Sequence, residues 1–327
     1  MKQHFRWGIM GTGGIARAFA LDLQRLDDHM VAAIGSRSSA KGHEFAAQLP
    51  KCRVYASYAE LVADPEIDGI YVATPHTTHL SNTLLALRAG KPVLCEKPFA
   101  VNAREAALMI DTAREMNLAL MEAMWSRFLP HFQIVRQILN SGVIGEVISV
   151  EADHGQQLAV RQIPRLMLPE FAGGALLDLG IYPVSFAHMV LGVPDKITAS
   201  AAFTSEGVDS QTSAIFDYHS GAQAILTANM VTATPCRAVI SGILGRIEID
   251  RTFYFPASMR VVLNDDSVTE YPNDYQGKGL REEAIEFAEL VRQGRKESSL
   301  LTWSETLQIM ESMDRIRNEI KLTYPSD

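Results

Sequence analysis

The sequence is poor in the residues that mark several kinds of protein. Its three cysteines, Cys52, Cys95 and Cys236, stand far apart with no CxxC pair and no Cys/His ligand spacing, which gives no metal site and fits a reducing compartment, the cytoplasm by default. Positive charge is scarce as well. Thirty Lys and Arg against 38 Asp and Glu leave a net charge of -8, which argues against nucleic acid as the main partner but leaves room for a local basic pocket around a phosphate. Long apolar runs are interrupted: 179–194 by Pro183 and His188, and 218–236 by His219, Ser220, Gln223 and Asn229, so neither reads as apolar enough to span a bilayer. The first residues pass from Arg6 into the glycine-rich WGIMGTGG and do not resemble a signal sequence. Fixed-period repeats and low-complexity tracts are absent.

What is present is ample core and a clear order. With 327 residues, 47% of them apolar, the chain reads as a globular protein of about two domains. An apolar strand over Phe5–Met10 leads into Gly11-Thr12-Gly13-Gly14-Ile15-Ala16 and then into a helical pattern of Ile15, Phe19, Leu23 and Leu26. Strand, glycine turn and helix in this order are the context of a dinucleotide site: Gly11 serves the tight turn, Gly13 lets the backbone approach a pyrophosphate, and Ala16 lets helix and strand pack closely. The pyrophosphate would rest on the helix's positive end.

The second strand, Val31–Gly35, ends in Ser36-Arg37, with Lys41 a turn later. An acidic residue there would bind ribose hydroxyls and repel a 2′-phosphate; a hydroxyl and two cations instead favour NADP(H), with NAD(H) the weaker candidate. A further buried strand, Ile67–Ala73, closes on Thr74-Pro75-His76, and a helix over Thr77–Ala89 carries His79. Then comes VLCEKPFA (93–100), a buried strand whose carboxyl end holds Glu96 and Lys97, the position where open α/β sheets bind ligands. The cofactor-binding set is therefore Gly11, Thr12, Gly13, Gly14 and Ile15 in the first turn, Ser36, Arg37 and Lys41 after the second strand, and Thr74, Pro75, His76, His79, Glu96 and Lys97 beyond. A helix over Val101–Met116 and a strand over Leu118–Met121 complete a parallel sheet with helices on both faces.

After about residue 121 the pattern changes from βα units to hairpins. Val147–Asp153 alternates; Thr212–Tyr218 and Ala222–Met230 frame a turn at His219-Ser220-Gly221, and 238–241 with 246–250 and 259–263 with 267–271 read likewise. Amphipathic helices over Gly279–Arg292 and Thr302–Lys321 close the chain, the latter opened by a capping box of Thr302 and Glu305. A first domain over 1–121 and a second over 122–327 are expected, with the closing helices able to pack back towards the first. Asp178 and Tyr182 lie four residues apart in a helical pattern begun after Gly173-Gly174, so on a helix they share one face.

The motifs AGKPVLCEKPFA and IMGTGGIA resemble those of the Gfo/Idh/MocA oxidoreductase family, and MEAMWSRFLP (121–130), GGALLDLGIYPV (173–184) and GVDS (207–210) are most similar to its trans-1,2-dihydrobenzene-1,2-diol dehydrogenase and NADP-dependent D-xylose dehydrogenase subgroup. The resemblance runs essentially end to end. It implies an α/β fold, a Rossmann domain (doubly wound parallel sheet) followed by an α+β domain with a large open, mostly antiparallel sheet, and a homodimer formed through that sheet. Where most of the family has DxGxH, this chain has Tyr182 in place of the histidine, as the subgroup does.

The implied chemistry is hydride transfer between nicotinamide and a secondary alcohol or carbonyl of a diol or sugar. Tyr182 would carry the hydroxyl proton, Lys97 would polarise the same oxygen and stabilise alkoxide charge, and Asp178 would orient Lys97 or the substrate. Trp125, Arg127, Phe128 and His154 fall where the resemblance places the substrate wall, and His154, in place of an aromatic hydrocarbon, makes that wall more polar and better suited to sugars. Two other readings stay open: a reductase of another carbonyl, such as a keto-sugar or a 1,5-anhydro sugar, and a non-enzymatic NAD(P)-sensing protein on the same fold.

Overall fold

The computed structural model describes residues 4–161, 163–325 and 327. They divide into two compact units, one made of 4–100, 104–125 and 277–306, the other of 101–103, 126–276 and 307–327.

The first unit is built from βα repeats: β1 (Phe5–Met10), α1 (Gly14–Leu23), β2 (His29–Gly35), α2 (Ser39–Ala46), β3 (Arg53–Tyr55), α3 (Tyr58–Ala63), β4 (Gly69–Val72), α4 (His79–Arg88), β5 (Val93–Glu96), α5 (Ala103–Glu115) and β6 (Leu120–Ala123). The six strands pair in parallel in the order β3-β2-β1-β4-β5-β6, the doubly wound sheet expected from the sequence. Because helices cover both faces, β4 and β5 are buried at every position. The strand order reverses between β1 and β4, which opens a crevice at their carboxyl ends. Strand β3 was not foreseen, since it is three residues long and lies at the sheet's edge with Arg53 exposed. The helix expected from Thr77 begins instead as a 3₁₀ turn, His76–Thr78, and β6 lies two residues later than the expected Leu118–Met121.

A late segment completes this unit. The helix Leu280–Gln293 buries Leu280, Ala284, Phe287 and Ala288 at helical spacing, and Phe287 packs 5.3 Å from Trp7 of β1. Trp7 in turn meets Phe19 of α1 edge-on at 5.2 Å, and Phe19 stacks on Tyr71 of β4 at 3.9 Å, so one aromatic column ties sheet and helices together. Asp22 of α1 accepts from the backbone N–H groups of Gly279 and Arg281 at 3.1 Å each, placing a carboxylate at the positive end of that helix.

The second unit contains α6 (Pro130–Ser141), β7 (Val147–Gly155), α7 (Pro164–Met167), α8 (Ile181–Leu191), β8 (Lys196–Phe203), β9 (Asp209–Asp217), β10 (Gln223–Asn229), β11 (Ala238–Gly242), β12 (Gly245–Ile249), β13 (Met259–Leu263) and β14 (Val268–Tyr271). The helix Leu280–Gln293 is then α9, and α10 (Trp303–Ile320) begins in the first unit and continues in the second. The eight strands run β14-β13-β12-β11-β7-β10-β9-β8. The β7–β10 pair is parallel and the others antiparallel, the large mostly antiparallel sheet that the resemblance implied. Ala214 and Phe216 of β9 and Ala224, Leu226 and Ala228 of β10 point to the buried face, whereas Ile215 and Ile225, directly paired, are 42% and 44% exposed on the other.

Two departures from the sequence reading concern what precedes and forms α8. Residues Leu176–Gly180 are wound as a π-helix, which runs directly into α8. Pro169–Leu191 is also long and apolar enough by composition to cross a membrane, contrary to the expectation for 179–194, but 83% of its most apolar window is buried. It is the core against which β7 and β10 pack.

Candidate active site

In the first unit the site begins at the end of β1. Gly11 has φ +107°, and a β-carbon there would come within 2.6 Å of the carbonyl oxygen of Ala73, so only glycine lets β1 turn beside β4. The Gly11 N–H donates to Gly35 O, and the Ala73 N–H to Met10 O, which fixes the ends of β1, β2 and β4 around one turn. Thr12 follows, half-buried. Helix α1 then starts with Gly13 as its N-cap and no side-chain cap, which leaves its first-turn N–H groups for a ligand. β-carbons at Gly13 and Gly14 would meet nothing within 4 Å, and Ile15 is exposed. This open, uncapped, positive helix end fits a pyrophosphate.

At the end of β2, Ser36 is buried and its hydroxyl donates to Ser38 O at 2.8 Å. Arg37 and Lys41 stand exposed beside it, and no carboxylate occupies 36–41, so the residues present fit a 2′-phosphate. Beyond β4, Thr74 Oγ1 accepts from Thr78 Oγ1 and Asn82 Nδ2 at 3.0 Å each. Thr74 and Pro75 are half-buried and His76 is buried. His79 is fully buried, its Nδ1 2.9 Å from Pro98 O and its Nε2 2.9 Å from Thr74 O. It joins the loop after β4 to the loop after β5, and burial lowers its pKa.

Lys97 is half-buried directly after β5, with Glu96 4% exposed beneath it and accepting from the Tyr71 hydroxyl. Burial, then the neighbouring Glu96, raises the Tyr71 phenol well above its ordinary range. Glu283 of α9 is 0% exposed. Burial first, then the charges of Glu96 and Glu122, push its carboxyl well above the usual carboxylate range, which favours its protonated form.

The second unit assembles a polar aromatic cluster. The ring of His154, at the end of β7, stacks on Tyr254 at 3.9 Å and meets Tyr182 edge-on at 5.1 Å, while Tyr182 and Tyr254 lie 4.8 Å apart. His154 Nδ1 lies 3.1 Å from Leu179 O, and the Gln156 amide donates to both His154 Nε2 and the Tyr254 hydroxyl at 2.9 Å. A carbonyl at Nδ1 and an amide donor at Nε2 call for a neutral ring protonated on Nδ1. Burial raises the Tyr254 phenol above its ordinary range. Asp178 and Tyr182, both buried, occupy the π-helix and the first turn of α8; the π turn is wider than an α turn, so four residues keep them less than one turn apart. Arg165 of α7 holds Asp178 through Nη1 and Oδ1 at 3.1 Å.

Arg127 is 2% exposed and donates to Ser185 O at 3.1 Å and Ser185 Oγ at 3.3 Å, which secures α8. Trp125 and Phe128 are buried in the turn Trp125–Phe128. The structure thus gathers the residues from Gly11 to Lys97 at the carboxyl edge of one sheet, and gathers His154, Asp178 and Tyr182 in the second unit. Sequence reasoning missed Tyr254, Gln156, Arg165 and Glu283, which stand in no motif; Asp209 lay in plain view in GVDS but served only as a mark of resemblance.

Comparison with known proteins agrees with this architecture. Residues 5–124 match the model of the GFO/IDH/MocA oxidoreductase family with its NAD-binding Rossmann fold, and residues 132–248 match the GFO/IDH/MocA C-terminal domain. The chain is similar to trans-1,2-dihydrobenzene-1,2-diol dehydrogenase of Mus musculus, 36% identical over 98% of both chains. It is also similar to the NADP(+) D-xylose 1-dehydrogenase of Hypocrea jecorina, 36% identical over 98% of this chain and 93% of the other. Among solved structures it matches KijD10, a 3-ketoreductase from Actinomadura kijaniata in complex with NADP and TDP-benzene, with a TM-score of 0.87 and 27% identity over 97% of this chain and 98% of that one.

Proposed function

The chain belongs to the GFO/IDH/MocA oxidoreductase family, and we propose that within it this protein is an NADP-dependent oxidoreductase acting on a secondary alcohol or carbonyl of a diol or sugar. The observation that carries the cofactor half is the uncapped start of α1 beside a Gly11 that admits no side chain, with Ser36, Arg37 and Lys41 at the end of the neighbouring strand. When bound, the nicotinamide supplies or receives the hydride.

The chain's own residues bind, orient and move the proton. The N–H groups of α1 hold the pyrophosphate, and Arg37 and Lys41 the 2′-phosphate. Lys97 donates to the substrate oxygen and stabilises negative charge on it as it becomes an alkoxide. Tyr182 carries the hydroxyl proton, and Asp178 orients polar groups beside it. His154, Gln156 and Tyr254 present ring faces edged by hydrogen-bonding groups, which suits a polyhydroxylated substrate better than a hydrocarbon. A cytoplasmic homodimer is part of the same reading, its interface the outer sheet face that carries Ile215 and Ile225.

The test is NADPH binding followed by fluorescence, then turnover on a panel of xylose, glucose and trans-diols. Tight NADPH binding with turnover of an aldose or diol supports the reading. Cofactor binding without turnover of any alcohol or carbonyl would instead identify a nucleotide sensor.

A further inference from the structure

A carboxyl group with no role yet in the reaction sits under the segment that carries Asp178 and Tyr182. Asp209, the first residue of β9, is 0% exposed. Its Oδ2 accepts from the backbone N–H of Leu176 at 2.8 Å and from Thr212 Oγ1 at 2.7 Å. Leu176 is the first residue of the π-helix, so this bond satisfies one of the N–H groups that a helix start leaves without an intrahelical partner. Asp209 Oδ1 faces Gly174, where a β-carbon would come within 2.1 Å of it, and Gly174 has φ +116°. The turn before it is held from another side, where the Tyr324 hydroxyl donates to Gly173 O at 2.9 Å.

This arrangement is costly to keep for packing alone. A buried carboxyl in an apolar setting is a poor core residue, and burial pushes that of Asp209 up to about 7. An apolar side chain would fill the same space without that cost but could not accept from Leu176. What the carboxyl supplies is a fixed origin for the winding: a π-helix is rare and less favourable than an α-helix, and a slip to α winding would rotate Asp178 relative to Tyr182. We infer that Asp209 is a positioning residue for the reaction, pinning the first turn of the π-helix so that Asp178 and Tyr182 keep their relative orientation. The inference rests on the reading of Tyr182 and Asp178 as catalytic, and its test separates the two.

Asp209→Leu keeps the branching, in a larger side chain, and removes the acceptor; Asp209→Asn keeps a neutral acceptor in the same shape. Three quantities are measured on each full-length variant: kcat and KM, NADPH affinity, and amide hydrogen exchange of peptides covering 173–184. For Asp209→Leu the expected result is a fall in kcat of about 10- to 100-fold, the scale of a misplacement of about 1 Å, with NADPH affinity within about twofold. Exchange should be faster in 173–184 and unchanged in β1 and α1. Asp209→Asn should restore most of both. Unchanged exchange in 173–184 overturns the anchoring role whatever happens to kcat. Faster exchange with full kcat overturns the positioning role and, separately, the catalytic reading of the segment. Should Asp209→Leu fail to fold, Thr212→Val, which removes one donor to the same oxygen, carries the test. It should show the same pair of effects in smaller measure, and the absence of both overturns the inference.

Discussion

Arg165 and Asp178 form an ion pair in which one partner is wet and the other dry: the arginine side chain is 46% exposed and the aspartate side chain 11%. The contact of 3.1 Å compensates a carboxylate that has little water of its own, from a helix whose Leu166 also packs with Leu179. Arg165→Met should therefore act more on turnover than on stability. An exposed partner limits the loss of stability to about 1 kcal/mol or less, whereas an Asp178 carboxylate without its cation should lower kcat about tenfold. Thermal melts and steady-state kinetics check the two halves together, and a variant with unchanged kcat would show that this ion pair does not support turnover.

Lys97→Ala separates chemistry from cofactor binding. Loss of an ammonium that stabilises alkoxide charge should reduce kcat by about 10²- to 10³-fold, while NADPH affinity, measured by fluorescence titration, stays within about threefold. Equal losses in the two would make Lys97 a cofactor ligand and nothing more.

Selectivity between the two nicotinamide cofactors should reside at the end of β2. Replacing Arg37 and Lys41 together by Ala removes two charge-assisted contacts to a 2′-phosphate, each worth about 1.5 kcal/mol or more. NADPH affinity should fall by at least about tenfold, and NADH affinity should stay put. A parallel loss for both cofactors would mean that the basic pair does not meet the 2′-phosphate.

Acid should destabilise the protein well above the carboxylate range. His29, His131 and His188 are buried, and burial pushes the pKa of each down to about 4, against about 6.5 in an unfolded chain. The folded state takes up these protons later than the unfolded state. Stability held by the neutral rings is therefore present above about pH 6.5 and is lost as the pH falls from there to about 4. Between pH 7 and 5 each ring accounts for about 2 kcal/mol. His131→Gln, which keeps a donor for Phe253 O, should shrink the difference between urea unfolding free energies at pH 7 and pH 5 by about that amount, and an unchanged difference would contradict the assignment.

Much of this molecule could be read before it was seen, for physical reasons that also say where reading stops. Strands β1, β4 and β5 are apolar but for Arg6 and Glu96 because both faces are covered, and Gly11 stands where no other residue fits, so the cofactor turn announced itself. Strand β3 has three residues and an exposed Arg53, too little to register as a strand. β8 alternates weakly and is rich in alanine, so its face does not stand out. In the second unit Tyr182 was legible from its place in a motif, but Tyr254 and Gln156 join it through a ring contact and an amide bridge between elements far apart in the chain. The π winding of Leu176–Gly180 could not be foreseen, because its apolar residues fit an α-helix equally well and its anchor lies on another strand.

The buried Glu283 gives the first unit a chemical appetite. An unfolded chain at pH 7 carries that side chain as a carboxylate, since its ordinary pKa is about 4.3; burial in the native fold raises that pKa and favours the acid. Folding therefore pulls this one group towards taking a hydrogen ion from the surrounding solution, against the release from the buried histidines, and its share of the folding heat should vary with the ionisation enthalpy of the buffer and vanish in Glu283→Gln.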